Sequence, residues 1–175
     1  CIFEKGGHTE PAGMIMVKEN VSLEPSDGQT VNLTIDGCTF RDSWDNQTYG
    51  IKGMDVYSSL GHHTNARGTF NFSDSTFTGL GGAIFVERNA DDDIDVTVDN
   101  CTFGDCHGGV YVESGRHVTV TDSRFSNIGE PAGTVTPVEV GRKYTPSGDK
   151  AVGNVTVTGN TFTGTSQTTA TPMRF

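Results

Sequence analysis

Strong helix formers are scarce in this chain: Leu occurs only at positions 23, 33, 60 and 80, and Ala, Glu and Lys are thin as well. A helical bundle needs those residues in quantity, so that architecture is excluded. No uninterrupted apolar run approaches the ~20 residues of a membrane-spanning helix, and no signal peptide is visible. Positive charge is short too. Twelve Lys and Arg stand against 22 Asp and Glu, a formal net charge of −10, which argues against nucleic acid or an anionic membrane as partner. A phosphate-binding glycine loop, a nucleotide fingerprint and a Ser-His-Asp order are also missing.

What the chain has instead is Gly, 23 residues of it, together with Thr, Asn, Asp and Val. That is the vocabulary of strands and tight turns. A length of 175 residues suits one domain, spanning 1–175.

A degenerate repeat organises these residues. VNLTIDGCTF (31–40), GTFNFSDSTF (68–77), DIDVTVDNCTF (93–103), RHVTVTDSRF (116–125) and GNVTVTGNTF (153–162) share one template, closing on Phe40, Phe77, Phe103, Phe125 and Phe162. The closing residues are spaced 37, 26, 22 and 37 apart, so a constant unit carries loops of varying length. Inside each unit apolar and polar residues alternate with period two, which a strand satisfies and a helix does not. Leu33, Phe70, Val96, Val118 and Val155 form one inward column, and Ile35, Phe72, Val98, Val120 and Val157 the next. The phenylalanines make a third. Thr34, Thr97, Thr119 and Thr156 fall on the outward side, where Asn71, Ser73, Asp36 and Asp99 break any uniform threonine face.

After each strand comes Gly37, Asp74, Asn100, Asp122 or Gly159, residue types that tolerate a left-handed backbone. A small inward residue follows: Cys38, Ser75, Cys101, Ser123 or Asn160. A second strand succeeds each phenylalanine, most clearly in LGGAIFVE (80–87) and CHGGVYVE (106–113), where Ile84, Val86, Val110 and Val112 face inward. Segments 13–20, 52–57, 136–140 and 171–175 carry the same strand in other coils.

The stacked bend followed by a short Thr-Phe strand resembles the turn between the second and third sheets of the pectin-lyase-like superfamily, and the resemblance runs from about Gly13 to Phe175. It implies an all-β, right-handed parallel β-helix, a three-sheet solenoid of about six coils, secreted or displayed on a cell surface. The chain stops inside a strand at Met173-Arg174-Phe175, which reads as a piece of a longer solenoid or as one end of an assembly.

Four cysteines would ordinarily suggest two disulfides. Cys38 and Cys101, however, lie two coils apart with Ser75 between them, so their Cα atoms should be roughly 9–10 Å apart at the usual strand spacing. That exceeds the ~7 Å reach of a bridge. They read as small buried residues, as does Cys106, which aligns with the inward Leu80.

In enzymes of this superfamily the substrate lies along one sheet, and here the resemblance implies the sheet containing GGAIFVE and GGVYVE. Alternation puts Asp55, Tyr57, Phe85, Tyr111, Glu139 and Arg174 on its outer face, with Glu87 and Glu113. Aromatic rings stack on the apolar faces of pyranoses, while carboxylates accept hydrogen bonds from sugar hydroxyls. This points to a polysaccharide or glycan partner. Glu87 and Glu113, on adjacent coils, are the candidate catalytic pair: about 5 Å between carboxyls suits a retaining glycosidase, and proximity would raise one of the two pKa values. The plain alternative is a solvated acidic ladder.

Asp91, Asp92 and Asp93, with Asp95 close by, could supply hard oxygen ligands to Ca²⁺ or simply form an acidic turn. His62-His63 and Arg142-Lys143-Tyr144 lie in loops that could border the same face. The polygalacturonase-like set of Asn-Thr-Asp, Asp-Asp, Gly-His-Gly and Arg-Ile-Lys is not found, and neither is the Trp-Ile-Asp-His of pectate lyases. Two readings follow. One is an extracellular module that binds or processes polysaccharide, with glycoside hydrolase or lyase-like chemistry if it is an enzyme. The other is a structural or adhesive surface protein, an adhesin-like assembly unit without catalysis.

Overall fold

The computed structural model describes residues 1–4, 13–18, 30–42, 52–57, 67–87, 94–112, 115–129, 136–141, 152–164 and 173–174, of which 13, 16–18, 30–31, 52–57, 67, 87 and 173–174 are described in backbone only. All regular structure among them is strand. The first coil is β1 (Ile2–Glu4), β2 (Gly13–Lys18) and β3 (Thr30–Asp36). The second is β4 (Thr39–Arg41), β5 (Lys52–Tyr57) and β6 (Arg67–Ser73), and the third β7 (Thr76–Thr78), β8 (Gly82–Glu87) and β9 (Ile94–Asp99). The fourth is β10 (Thr102–Gly104), β11 (Val110–Val112) and β12 (His117–Thr121), and the fifth β13 (Arg124–Ser126), β14 (Val138–Val140) and β15 (Asn154–Thr158). Two further strands, β16 (Thr161–Thr163) and β17 (Met173–Arg174), begin a sixth.

Each strand pairs with its counterpart one coil away, never with its chain neighbour. β1, β4, β7, β10, β13 and β16 make the first sheet, β2, β5, β8, β11, β14 and β17 the second, and β3, β6, β9, β12 and β15 the third. Every ladder is parallel and in register, so the columns read from the sequence are physical columns: Phe70 pairs with Val96, Val96 with Val118, and Val118 with Val155. Ile84, Val86, Val110, Val112, Val118 and Val120 are buried, while Thr97 and Thr119 between them are half-buried. The expectation of a three-sheet parallel solenoid of about six coils therefore holds.

The phenylalanine column is the spine of the core. Rings of Phe40, Phe77, Phe103, Phe125 and Phe162 follow one another at centroid separations of 4.8, 5.2, 4.5 and 5.0 Å, nearly parallel. The stack has one ring more than the five repeated segments supply: Phe3 lies 4.7 Å from Phe40, with Ile2 opposite Thr39. The signal was present, since Cys1-Ile2-Phe3 repeats the pattern of Cys38-Thr39-Phe40.

Left-handed backbone closes both ends of the short first-sheet strands β4, β7, β10, β13 and β16. The foreseen bend column has φ of 57° at Gly37, 48° at Asp74, Asn100 and Asp122, and 69° at Gly159. A second such column, not foreseen, holds Asp42, Gly79, Asp105, Asn127 and Gly164 at φ of 50° to 60°. Asn and Asp accept this conformation because their short side chains bond locally. Here those bonds run between coils, Asn100 Nδ2 donating to Asp74 Oδ1 and Asn127 Nδ2 to Asp105 Oδ1.

The small column beside the first bend proves to be a polar ladder inside the core. The bend turns a backbone N–H inward, where it must find an acceptor. Ser75 Oγ accepts from the Cys38 N–H at 3.1 Å and donates to the Ser73 carbonyl at 2.7 Å. Ser123 Oγ does the same for Cys101 at 3.0 Å and Thr121 at 2.8 Å, and Asn160 Oδ1 accepts from the Ser123 N–H at 2.9 Å. All four cysteines are free thiols. Burial pushes the Cys101 thiol up to about 11 and the Cys106 thiol up to about 12, so neither ionises near neutrality.

Candidate functional site

The second sheet gathers most of the outward residues expected to meet a ligand. Asp55 pairs with Phe85, Phe85 with Tyr111, Tyr111 with Glu139, and Glu139 with Arg174. Five of the six candidate binding positions thus form one straight column, perpendicular to the strands and parallel to the solenoid axis. The sixth, Tyr57, lies two residues further along its strand, directly opposite Glu87, hence about 6.6 Å to one side of the column. Glu113, expected in register with Glu87, lies outside the described residues, as do Asp91, Asp92, Asp93, His62, His63, Arg142, Lys143 and Tyr144. Asp55, Tyr57, Glu87 and Arg174 are placed by backbone alone.

Why this column faces outward is a matter of parity. Ile84 with Val86, Val110 with Val112, and Val138 with Val140 are drawn into the core, so the intervening Phe85, Tyr111 and Glu139 must point away from it. All three are half-buried. The Phe85 and Tyr111 rings lie 5.3 Å apart between centroids, at an interplanar angle of 38°. They form a short apolar platform with carboxylate-bearing positions on either side, Asp55 below and Glu139 above. A glycine supports it: any side chain at Gly82 would run into the Phe85 ring, so its absence leaves room for that ring beside the backbone.

A second polar cluster, on the outer face of the third sheet, was not singled out. Asp95 had been grouped with the neighbouring aspartates as a cation ligand, but its carboxylate is taken by other partners. Arg116 grips both oxygens, Nε to Oδ1 at 3.0 Å and Nη2 to Oδ2 at 2.6 Å. His117 Nδ1 reaches Oδ1 at 2.9 Å. The hydrogen bond from Arg116 holds the Asp95 carboxyl below its usual range, burial opposes this, and His117 adds to the lowering. Such a bidentate pair is a lattice of the outer surface and leaves Asp95 poorly suited to metal. Among the described residues no group of His, Cys, Asp and Glu is arranged to hold a metal ion, and no helix is long and apolar enough to cross a membrane.

No curated protein and no solved structure matches the chain. The model of one family, the right-handed beta helix region, does match, over residues 19–171. With in-register parallel sheets built from one repeat and a family match across most of its length, the chain belongs to the right-handed beta helix family.

Proposed function

We propose that this is an extracellular β-helix module that binds polysaccharide along the outer face of its second sheet. The observation that carries the reading is the Phe85–Tyr111 pair, two adjacent rings held outward on a rigid surface at 5.3 Å. Aromatic rings placed in series on a flat sheet match the apolar faces of successive sugar rings. The carboxylate-bearing positions flanking them provide acceptors for hydroxyl hydrogens. The chain's charge of −10 adds a selection rule: a neutral glycan is favoured over a polyuronate, which the acidic surface repels.

Binding is measured by calorimetry or affinity electrophoresis against neutral and uronic-acid polysaccharides. Phe85→Ala and Tyr111→Ala should each weaken binding about tenfold, the scale of a central aromatic contact. Unchanged affinity in the double variant would remove this face from the reading. Cleavage is a further step resting on Glu87 and Glu113, and Glu87→Gln with Glu113→Gln should abolish any glycan hydrolysis while sparing the fold.

A second reading, a stiff structural or adhesive unit, is favoured by the unbroken in-register parallel stacking of the three sheets, which makes the described solenoid a rigid rod. Concentration-dependent association in light scattering supports that reading, and a strictly monomeric chain counts against it.

A further inference from the structure

The column that contains Cys38 continues into the first rung. Ile2 pairs with Thr39 and Phe3 with Phe40, so the residue one step earlier, Cys1, stands opposite Cys38. The ladder confirms the placement: the Thr39 N–H donates to the Cys1 carbonyl at 2.8 Å, the same bond by which Thr76 reaches Cys38 and Thr102 reaches Ser75, at 2.8 and 2.9 Å. The column thus reads Cys1, Cys38, Ser75, Cys101, Ser123, Asn160. Cys38 and Cys101 are kept apart by Ser75, but Cys1 and Cys38 have nothing between them.

In-register parallel neighbours lie about 4.8 Å apart, inside the Cα separation of roughly 4.4–6.8 Å that a disulfide spans. Local geometry supports that spacing, since the Phe3 and Phe40 rings two residues on are 4.7 Å apart. Cys1 is exposed and Cys38 buried, so an oxidant meets the first and the second resolves it. The Cys38 thiol currently donates only a weak bond to the Asp36 carbonyl, at 3.3 Å, so turning toward Cys1 gives up little. The other two thiols are shielded by burial, Cys101 at 1% and Cys106 at 0% exposure, and Cys101 has Ser75 and Ser123 on either side of it in the column.

We propose that Cys1 and Cys38 form a redox site, a disulfide that staples the first coil of the solenoid to the second. A small-molecule disulfide such as oxidised glutathione is the oxidant. The Cys1 thiolate attacks it and releases one thiol, giving a mixed disulfide. The Cys38 thiolate then displaces the second thiol and forms the Sγ–Sγ bond. Two protein thiols are oxidised, and one disulfide is reduced to two thiols. The bridge closes a loop of ~37 residues and removes freedom from the unfolded chain. Its effect is to tie the strand β1 covalently to its ladder partner β4.

The test is oxidation of the folded chain with oxidised glutathione, followed by alkylation in denaturant and peptide mapping. The expected product carries a Cys1–Cys38 cross-linked peptide, retains Cys101 and Cys106 as alkylatable thiols, and melts roughly 5–10 °C higher than the reduced chain. Cys1→Ser, at an exposed position that leaves the fold intact, should lose both the cross-link and the thermal shift, while Cys106→Ala should keep the cross-link. Glutathione remaining on Cys1 with Cys38 unmodified, a bridge joining any other pair, or four alkylatable thiols after oxidation would each overturn the proposal.

Discussion

Two aromatic columns run up the same solenoid under opposite rules. Inside, six phenylalanines stack at 4.5–5.2 Å with rings within 12° of parallel. Outside, on the second sheet, the column reads Asp55, Phe85, Tyr111, Glu139, Arg174, and its one described ring pair is tilted by 38°. Both columns have the same register, so the backbone does not distinguish them. Burial does. An inner position must fill a volume fixed by the rungs above and below, and repetition of one residue is the simplest solution. An outer position answers only to what approaches from solvent, so variety there carries information about ligands. Identity is conserved within the chain where packing demands it, and lost where function has room.

The sharpest way to break that contrast is to truncate one ring of each kind. Phe77→Ala removes a fully buried ring stacked on both sides, and should destabilise the chain by about 3–5 kcal/mol in chemical denaturation. Phe85→Ala removes a half-buried ring and should change stability by about 1 kcal/mol or less while weakening glycan binding. Equal stability losses would mean that the outer column is structural, and the glycan reading would lose its main support. Gly82→Ala sharpens the same point more gently. It pushes the Phe85 ring off its seat, so affinity should fall severalfold with the fold intact, as seen in matched circular dichroism spectra.

Much of this was written plainly in the chain. The five repeated segments and their closing phenylalanines gave the sheets, the register and the inward columns, because a buried rung must match its neighbours residue by residue. Legibility failed where that constraint relaxes. Phe3 escapes the repeat because only three residues of the template, Cys1-Ile2-Phe3, stand in the sequence there. The second bend column escaped because Asp42, Asp105 and Asn127 look like ordinary loop residues until φ is known. The partners of Asp95 escape because its nearness to Asp93 is plain in the chain while its strand partner is not: β9 carries it to within reach of Arg116 and His117 on the next coil. Outer sites are assembled across coils, and the chain distance between their members is set by loops that obey no repeat.

The buried interior can also be probed chemically. Burial pushes the Cys101 and Cys106 thiols up from the ordinary 9.0 to about 11 and about 12. Their neutral form is favoured by the fold, so this contribution is complete below pH 9 and fades as pH rises through the folded values. Between pH 9 and 11 the unfolded chain sheds those protons first, which should lower stability by about 2 kcal/mol per thiol. Cys106→Ala should flatten part of that alkaline decline. An unchanged decline would assign it to other groups and leave the thiol uninvolved.

The smallest effect belongs to the outer polar lattice, where solvent screens what geometry offers. Arg116 and His117 hold the Asp95 carboxyl below the ordinary 3.8, so the charged form is favoured by the fold. Its contribution is therefore present above that value and lost as pH falls through the lower folded pKa. The pair is partly exposed, Arg116 at 51% and Asp95 at 26% of the side chain, so the whole contribution should be about 1 kcal/mol or less. Asp95→Asn should lower stability by that amount near neutrality and by almost nothing at pH 2, with the difference shrinking in high salt. Denaturation curves at both pH values decide it. A loss comparable to that of Phe77→Ala would show that an exposed lattice can rival a buried stack, and the division between inner and outer columns would have to be redrawn.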